Sequence, residues 1–406
     1  MIYINRLWSI VCLLILAGHN SAGMEPAYVA LPESDIVLYS GGAAAECIAV
    51  GKGGAYFLRD GLSKQTLRGE FSLYPRPAMN ADGTLLALLA KNTRGNASVV
   101  LFHIPFRSTA VYSLSQAPSA WAWAANSPRL AIAIEDVVFL LDAEKGRLDP
   151  LSFRMEGSIK ELSFSPSGEN LLLTSAMKER GYTRISIAKL NGSQPVAIED
   201  YSEGGVWLDD SRIAYISGQG EPDSFIDMQT IEKNGTPAPL PEGRKRIGQM
   251  GTPGTFYRLS LAPGGDRLAA ELDIFSPSDF FPETMERYSA RLACFMDIMP
   301  NGVSMPYASG WPQFAWTPNG RRYAQIRERI NAKPGARKDA SAVRDWEIVV
   351  SGDFRPVADR AKMEPKPLFQ SRRPIRNLSW NADGELLFFD VGGEGMSKVY
   401  FAPGNR

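Results

Sequence analysis

A chain of 406 residues with 44% hydrophobic residues can bury a sizeable core, and its 44 basic and 44 acidic residues cancel. Balanced charge excludes a global field directed at nucleic acid or an anionic membrane. The 37 glycines and 28 prolines are scattered at turn positions, which excludes a collagen-like or low-complexity chain.

Residues 1–23 stand apart. Arg6 precedes the apolar run Leu7–Ala17, and the small residues Ser21-Ala22-Gly23 follow. This is the pattern of a secretory signal peptide, leaving 24–406 as the mature chain. The run is short for a bilayer span, so no stable membrane span is expected after cleavage; a retained anchor is the alternative. Next comes a spare apolar piece, Ala27–Leu31. From there a short phrase recurs eight times: Leu38-Tyr-Ser-Gly-Gly42, Met79-Asn-Ala-Asp-Gly83, Trp123-Ala-Ala-Asn-Ser127, Phe164-Ser-Pro-Ser-Gly168, Trp207-Leu-Asp-Asp-Ser211, Leu261-Ala-Pro-Gly-Gly265, Trp316-Thr-Pro-Asn-Gly320 and Trp380-Asn-Ala-Asp-Gly384. A large apolar residue lies four before a Gly or Ser, and an apolar run follows. A repeat of roughly 40 to 50 residues signals a propeller, solenoid or array.

The third unit shows the content of one repeat. Ala120–Trp123 reads as a strand, Asn126–Pro128 as a turn, and Leu130–Ile134 and Val137–Leu141 as further strands. Glu144-Lys-Gly146 then turns the chain into a weaker fourth strand. Asp60-Gly61, Asn191-Gly192, Asn234-Gly235 and Asn301-Gly302 repeat that second turn, since Asn-Gly and Asp-Gly suit positive φ. Four antiparallel strands per unit make a propeller blade. The expected fold is therefore all-β, a single β-propeller with eight blades, or seven if the weak Leu38 phrase is an irregular entry. After Trp380 the chain has room for only two more strands, so Ala27–Leu31 is expected to supply the outer strand of the last blade and close the ring.

The aromatic-Ser-Pro-x-Gly phrase, clearest at Phe164–Gly168, resembles the repeat of TolB-type, WD40-like propellers of bacterial envelopes, over most of residues 38–406. TolB itself has six blades and an added α/β domain, which this chain lacks. The resemblance implies a monomeric periplasmic or secreted protein that docks protein or peptide partners or senses ligands.

Chemistry is sparse in the sequence. His103 is the one histidine of the mature chain, and Cys47 and Cys294 sit apart in apolar runs, so no catalytic set, zinc spacing or cofactor motif is expected. Cys47 and Cys294 read as buried thiols. Binding is expected instead where loops are long. Units six and seven carry excess material at Phe275–Tyr288 and Glu328–Asp345, and basic stretches follow at Gly243–Arg246 and 353–376. Read as interblade links, the last two gather with the first two on one face of blades five to eight. Phe280, Phe281 and Tyr288 are the expected apolar anchors, with Arg244, Arg246, Arg337, Lys338, Arg372 and Arg373 as the basic rim. Trp346, like Trp121 and Trp311, falls outside the repeat register and is free to face a ligand. The phrase tryptophans Trp123, Trp207, Trp316 and Trp380 are expected in the core. The functional expectation is a non-enzymatic scaffold for an envelope protein or peptide. Its alternative is a small-molecule or metal-dependent hydrolase or lyase with carboxylates in the central channel.

Overall fold

The computed structural model describes residues 28–403 apart from residue 34 and the stretches 41–45, 60–61, 92–95, 178–179, 219–223, 234, 240–242, 250–253, 277–287, 300–301, 304–306, 309–312, 332–342, 352–366, 382 and 394–395. The strands form eight antiparallel sheets, the blades of one propeller. β1 (Tyr28–Leu31) is made first but belongs to the last blade. Blade 1 is β2 (Ile36–Ser40), β3 (Glu46–Gly51), β4 (Gly54–Arg59) and β5 (Leu62–Arg68). Blade 2 splits its first strand into β6 (Phe71–Ser72) and β7 (Ala78–Met79), then adds β8 (Leu85–Lys91), β9 (Ala97–His103) and β10 (Ser108–Ser113). Blade 3 is β11 (Ala120–Trp123), β12 (Arg129–Ile134), β13 (Val137–Asp142) and β14 (Arg147–Pro150). Blade 4 is β15 (Ser158–Phe164), β16 (Asn170–Met177), β17 (Tyr182–Lys189) and β18 (Val196–Asp200).

Blade 5 is β19 (Ser202–Asp209), β20 (Arg212–Ser217), β21 (Phe225–Thr230) and β22 (Arg244–Gln249). Blade 6 is β23 (Gly254–Leu261), β24 (Arg267–Ser276), β25 (Tyr288–Met299) and the short pieces β26 (Gly302–Val303) and β27 (Tyr307–Ala308). Blade 7 is β28 (Phe314–Trp316), β29 (Tyr323–Asn331), β30 (Val343–Ser351) and β31 (Phe369–Ser371). Blade 8 is β32 (Ile375–Trp380), β33 (Leu386–Gly393) and β34 (Met396–Pro403), completed by β1 in the register Tyr28↔Tyr400 to Leu31↔Ser397. The Leu38 phrase thus opens a full blade, which removes the seven-blade alternative.

The second strands explain why this sequence needs a ring. Along β12, Leu130, Ile132 and Ile134 pack towards blade 2, while Ala131 and Ala133 pack towards blade 4. Both sheet faces are dry, so these strands read as unbroken apolar runs rather than alternating ones. Buried side chains gather into eight clusters, one at each junction between neighbouring blades. Cys47 and Cys294 are buried and unpaired within them.

The phrase forms the turn between first and second strands. Gly83, Gly168, Gly265, Gly320 and Gly384 have φ between 66° and 73°, the left-handed region where a Cβ is penalised. An arginine two residues past the phrase reaches forward to the next turn. Arg129 donates to the Gly168 carbonyl at 3.2 Å, Arg267 to Gly320 at 2.9 Å and Arg322 to Gly384 at 2.8 Å. Two of the four phrase tryptophans reach back: Trp123 donates its indole N–H to Ala78 and Trp380 to Ala315, each at 3.0 Å.

At the seam between blades 8 and 1, Asn377 donates to the Ile36 carbonyl at 2.6 Å and to Asp390 at 2.8 Å. Asp390 is fully buried, and that burial pushes its pKa up to about 6 against the pull of Asn377 and Arg376. A folded pKa above the unfolded value of about 3.9 gives stability that is complete below that value and is lost as pH rises through about 6. Two units correspond to about 3 kcal/mol. Asp390→Asn is therefore expected to stabilise the protein by about 2–3 kcal/mol at pH 8 and to change little at pH 3.5. Urea unfolding at both pH values measures it; equal shifts at both would contradict the assignment.

Candidate functional site

In an antiparallel blade, the loop between second and third strands emerges on the same side as the link to the next blade. We name this the loop face; the phrase turns and the third-to-fourth connections occupy the other. The observed strands redistribute the insertions. The insertions expected at 277–287 and 332–342 fall in chain order between second and third strands and lie outside the described residues. The described part of 231–243 instead joins the third strand of blade 5 to the fourth, on the phrase face, and 352–366 lie outside the described residues. The expectation that Gly243–Arg246 is an interblade link is thereby corrected. The reason lies in the fourth strands: Pro237, Pro239 and Pro241 cannot donate to a ladder, so β22 forms from the proline-free run after them.

Arg244 and Arg246 consequently sit in a strand, not in a link. β21 brings Asp227, only 1% exposed, between them, with Arg244 at 2.6 Å and Arg246 at 3.2 Å. Ser217 donates to the same carboxylate at 2.5 Å, and Arg244 also pairs with Glu199 of blade 4 at 2.7 Å. Burial pushes the Asp227 carboxyl up, but Ser217 and the two arginines outweigh it and hold it below the ordinary range. Arg246 lies over the Phe225 ring at 3.6 Å. Arg244 thereby joins blades 4 and 5, while Arg246 stays within blade 5.

Trp346 lies in β30, half-buried against the cluster between blades 7 and 8. Trp121 is buried and donates to the Arg76 carbonyl at 2.6 Å. Arg372 and Arg373 are exposed in the link from blade 7 to blade 8, on the loop face as expected. Phe280, Phe281, Arg337, Lys338 and Trp311 lie outside the described residues. Tyr288 begins β25, and nothing of its side chain is described.

What the sequence reading missed is a set of β-bulges. The innermost strands of blades 4, 5, 6 and 8 each shift register, between Ile159 and Glu161, Glu203 and Val206, Phe256 and Arg258, and Arg376 and Ser379. Bulges re-aim side chains and recur beside functional sites. Those of blades 4, 5 and 6 border a cavity of about 200 Å³ lined by Glu161, Ser163, Thr174, Gly204, Gly205 and Arg258, among others. Its walls come from the innermost strands of three consecutive blades, which puts it beside the central axis. Gly204 takes φ +63°, and a Cβ on Gly205 would meet Leu172 at 2.8 Å, so the pair keeps the hollow open. Burial and the charge of Glu161 both push the Glu203 carboxyl up. Arg258 pairs with Glu271 at 3.5 Å.

On the other side of β15 a larger cleft of about 520 Å³ opens on the loop face between blades 3 and 4. It is lined by Glu135, Asp136, Glu156, Ser158, Met177 and Arg180, among others. Asp136 pairs with Arg154 at 3.0 Å, and Glu156 with Arg184 at 2.6 Å. Beside it, Arg180 donates to the Tyr182 hydroxyl at 3.1 Å, and Tyr182 stacks against Tyr201, 53% exposed, with ring centroids 4.5 Å apart. Among the described residues, no group of three or more His, Cys, Asp or Glu side chains is arranged to hold a metal ion.

Fold and hollows together define an eight-bladed β-propeller with charged sites at its axis and loop face. No protein-family model matches the chain, and no curated protein sequence does. Solved structures do. The propeller is similar to an oligogalacturonate lyase in complex with manganese, at 8% identity and TM-score 0.52 over 93% of this chain and 98% of that one. It is also similar to a chain of the mitotic checkpoint complex, at 9% identity and TM-score 0.48 over 95% and 94%. A third likeness is to the β-propeller domain of Myceliophteria thermophila Cps50 (Swd1), at 12% identity and TM-score 0.43 over 80% and 95%. At such identities the likeness is one of fold alone.

Proposed function

We propose that this protein is an exported binding scaffold that receives a protein segment or peptide on its loop face. The cleft between blades 3 and 4 carries the reading: it is open and polar, rimmed by charges of both signs, with the exposed Tyr201 ring beside it as an apolar anchor. Loops held on a rigid scaffold are the usual seat of recognition. The signal-peptide pattern of residues 1–23 and the TolB-type phrase support an envelope location.

The test is capture from an envelope extract by immobilised protein. A Glu156→Lys, Tyr201→Ser double variant, or deletion of 276–288 with 331–343, is expected to reduce capture at least about tenfold. Asp383→Lys on the phrase face is expected to leave it intact. Capture insensitive to both loop-face changes, or lost with Asp383→Lys, would refute the reading. Catalysis at the axis is the second reading, and the observation behind it is the hollow lined by Glu161 and Arg258, beside which burial and the charge of Glu161 raise the Glu203 carboxyl.

A further inference from the structure

Among the described residues, the outer strand of each blade presents an open edge, and seven of the eight edges are blunted. β5 carries Lys64 and Arg68 and faces a bulge. β14 has four residues, including Arg147, Asp149 and Pro150. β18 holds Glu199 and Asp200 and is bulged. β22 is basic and bulged. β26, β27 and β31 have only two or three residues, and β1 has four, its Tyr28 ring capped by Lys398 at 4.3 Å. Short length, charge, proline and bulges are the devices that keep edges from pairing. β10, Ser-Thr-Ala-Val-Tyr-Ser, has none of them. It runs six residues in unbroken register against β9, all but Tyr112 are exposed, and Val111 is 62% exposed.

We propose that β10 is a self-association edge, on which a second copy of this chain docks its own β10 antiparallel. The backbone sets the register. Leu114 N–H bonds inward to Ala97 at 3.0 Å, so alternation points the N–H and C=O groups of Thr109, Val111 and Ser113 outward. Opposed residues in an antiparallel ladder must both point at the partner. The register that pairs all three sets Val111 against Val111 of the second copy, with Thr109 against Ser113 on either side. It gives about six new backbone hydrogen bonds and merges two blades into one sheet. The contact is isologous, as a two-fold dimer requires. β10 itself carries no charge, so no like charges oppose one another, and the pair at the dyad is β-branched and apolar. A second copy fits better than a foreign peptide because this edge is complementary to itself. The site lies on the propeller's rim and leaves the loop face free, so it stands or falls independently of the proposed function.

Sedimentation velocity of the purified protein from about 1 µM to about 500 µM is the test. The parent is expected to pass from monomer to dimer. Val111→Lys places two cations across the dyad, and Val111→Pro removes an outward donor while sparing the inward ladder. Both are expected to weaken association at least about tenfold with unchanged thermal unfolding. Val111→Cys is expected to crosslink to itself under mild oxidation, since opposed residues of a bonded pair lie about 5.5 Å apart. An exposed Glu144→Cys on blade 3 is not, and the buried Cys47 and Cys294 stay silent. A parent that remains monomeric throughout, a dimer indifferent to Val111→Lys, or capture of a β10 peptide without self-association each overturns the proposal.

Discussion

Asp227→Ala is expected to lower the unfolding free energy by about 3 kcal/mol, at the low end of the range for breaking a buried ion pair. Two facts set the magnitude. The carboxylate is 1% exposed and receives Ser217, Arg244 and Arg246, so its loss strands two guanidinium groups. Yet Arg244 keeps Glu199, and the Arg246 side chain is 47% exposed, so neither cation is left wholly buried and alone. Adding Arg244→Met to Asp227→Ala is expected to recover part of the loss, because an apolar replacement of the whole pair avoids the orphaned charge. The contribution also has a definite pH window. A depressed folded pKa means that Asp227 stabilises above the ordinary carboxylate value, and this support disappears as pH falls through its lower folded value. Urea titrations of the parent and the two variants at pH 7 and pH 3 measure both effects. A double variant weaker than Asp227→Ala would contradict the account.

Removing residues up to 32 is the second large effect. It takes Val29 and Leu31, 6% and 1% exposed, out of the core between blades 8 and 1, where they pack with Phe388 and Val399. It also leaves β34 as an open apolar edge. Two buried aliphatic side chains alone are worth about 4 kcal/mol or more, so the urea midpoint should fall sharply and association should extend beyond that of the parent. A synthetic peptide spanning 27–32 is expected to restore part of the midpoint in trans. An unchanged midpoint on truncation would show that ring closure contributes nothing.

The sequence made the architecture legible because the phrase turn imposes a backbone demand at fixed spacing: positive φ at Gly83, Gly168, Gly265, Gly320 and Gly384. The closing strand was legible because the apolar piece Ala27–Leu31 stands spare ahead of the first phrase. The fourth strands were not. β22 and β31 are polar or very short, and strand pairing there depends on partners such as Asp227 that lie far away in sequence. A basic run therefore looked like a link. The axial hollow was hidden because a bulge is a single extra residue with no required type; only the paired glycines 204 and 205 hinted at it. The forward-reaching arginines did leave a signal, a constant offset of two from the phrase at Arg129, Arg267 and Arg322, which the reading passed over. The stretches 277–287 and 332–342 stay beyond the described residues, and with them Phe280, Phe281, Arg337 and Lys338.

Closure by β1 reverses the order of synthesis. Blades 2 to 7 can each dock on the preceding neighbour as the nascent chain lengthens, and Arg129, Arg267 and Arg322 are each made before the turn they bind. β1 leaves the ribosome before all of them yet has no mate until β34 emerges. At 5–20 residues per second that delay is roughly 20–70 s, during which an apolar strand and an incomplete circle coexist. The earliest strand made is the last to be seated.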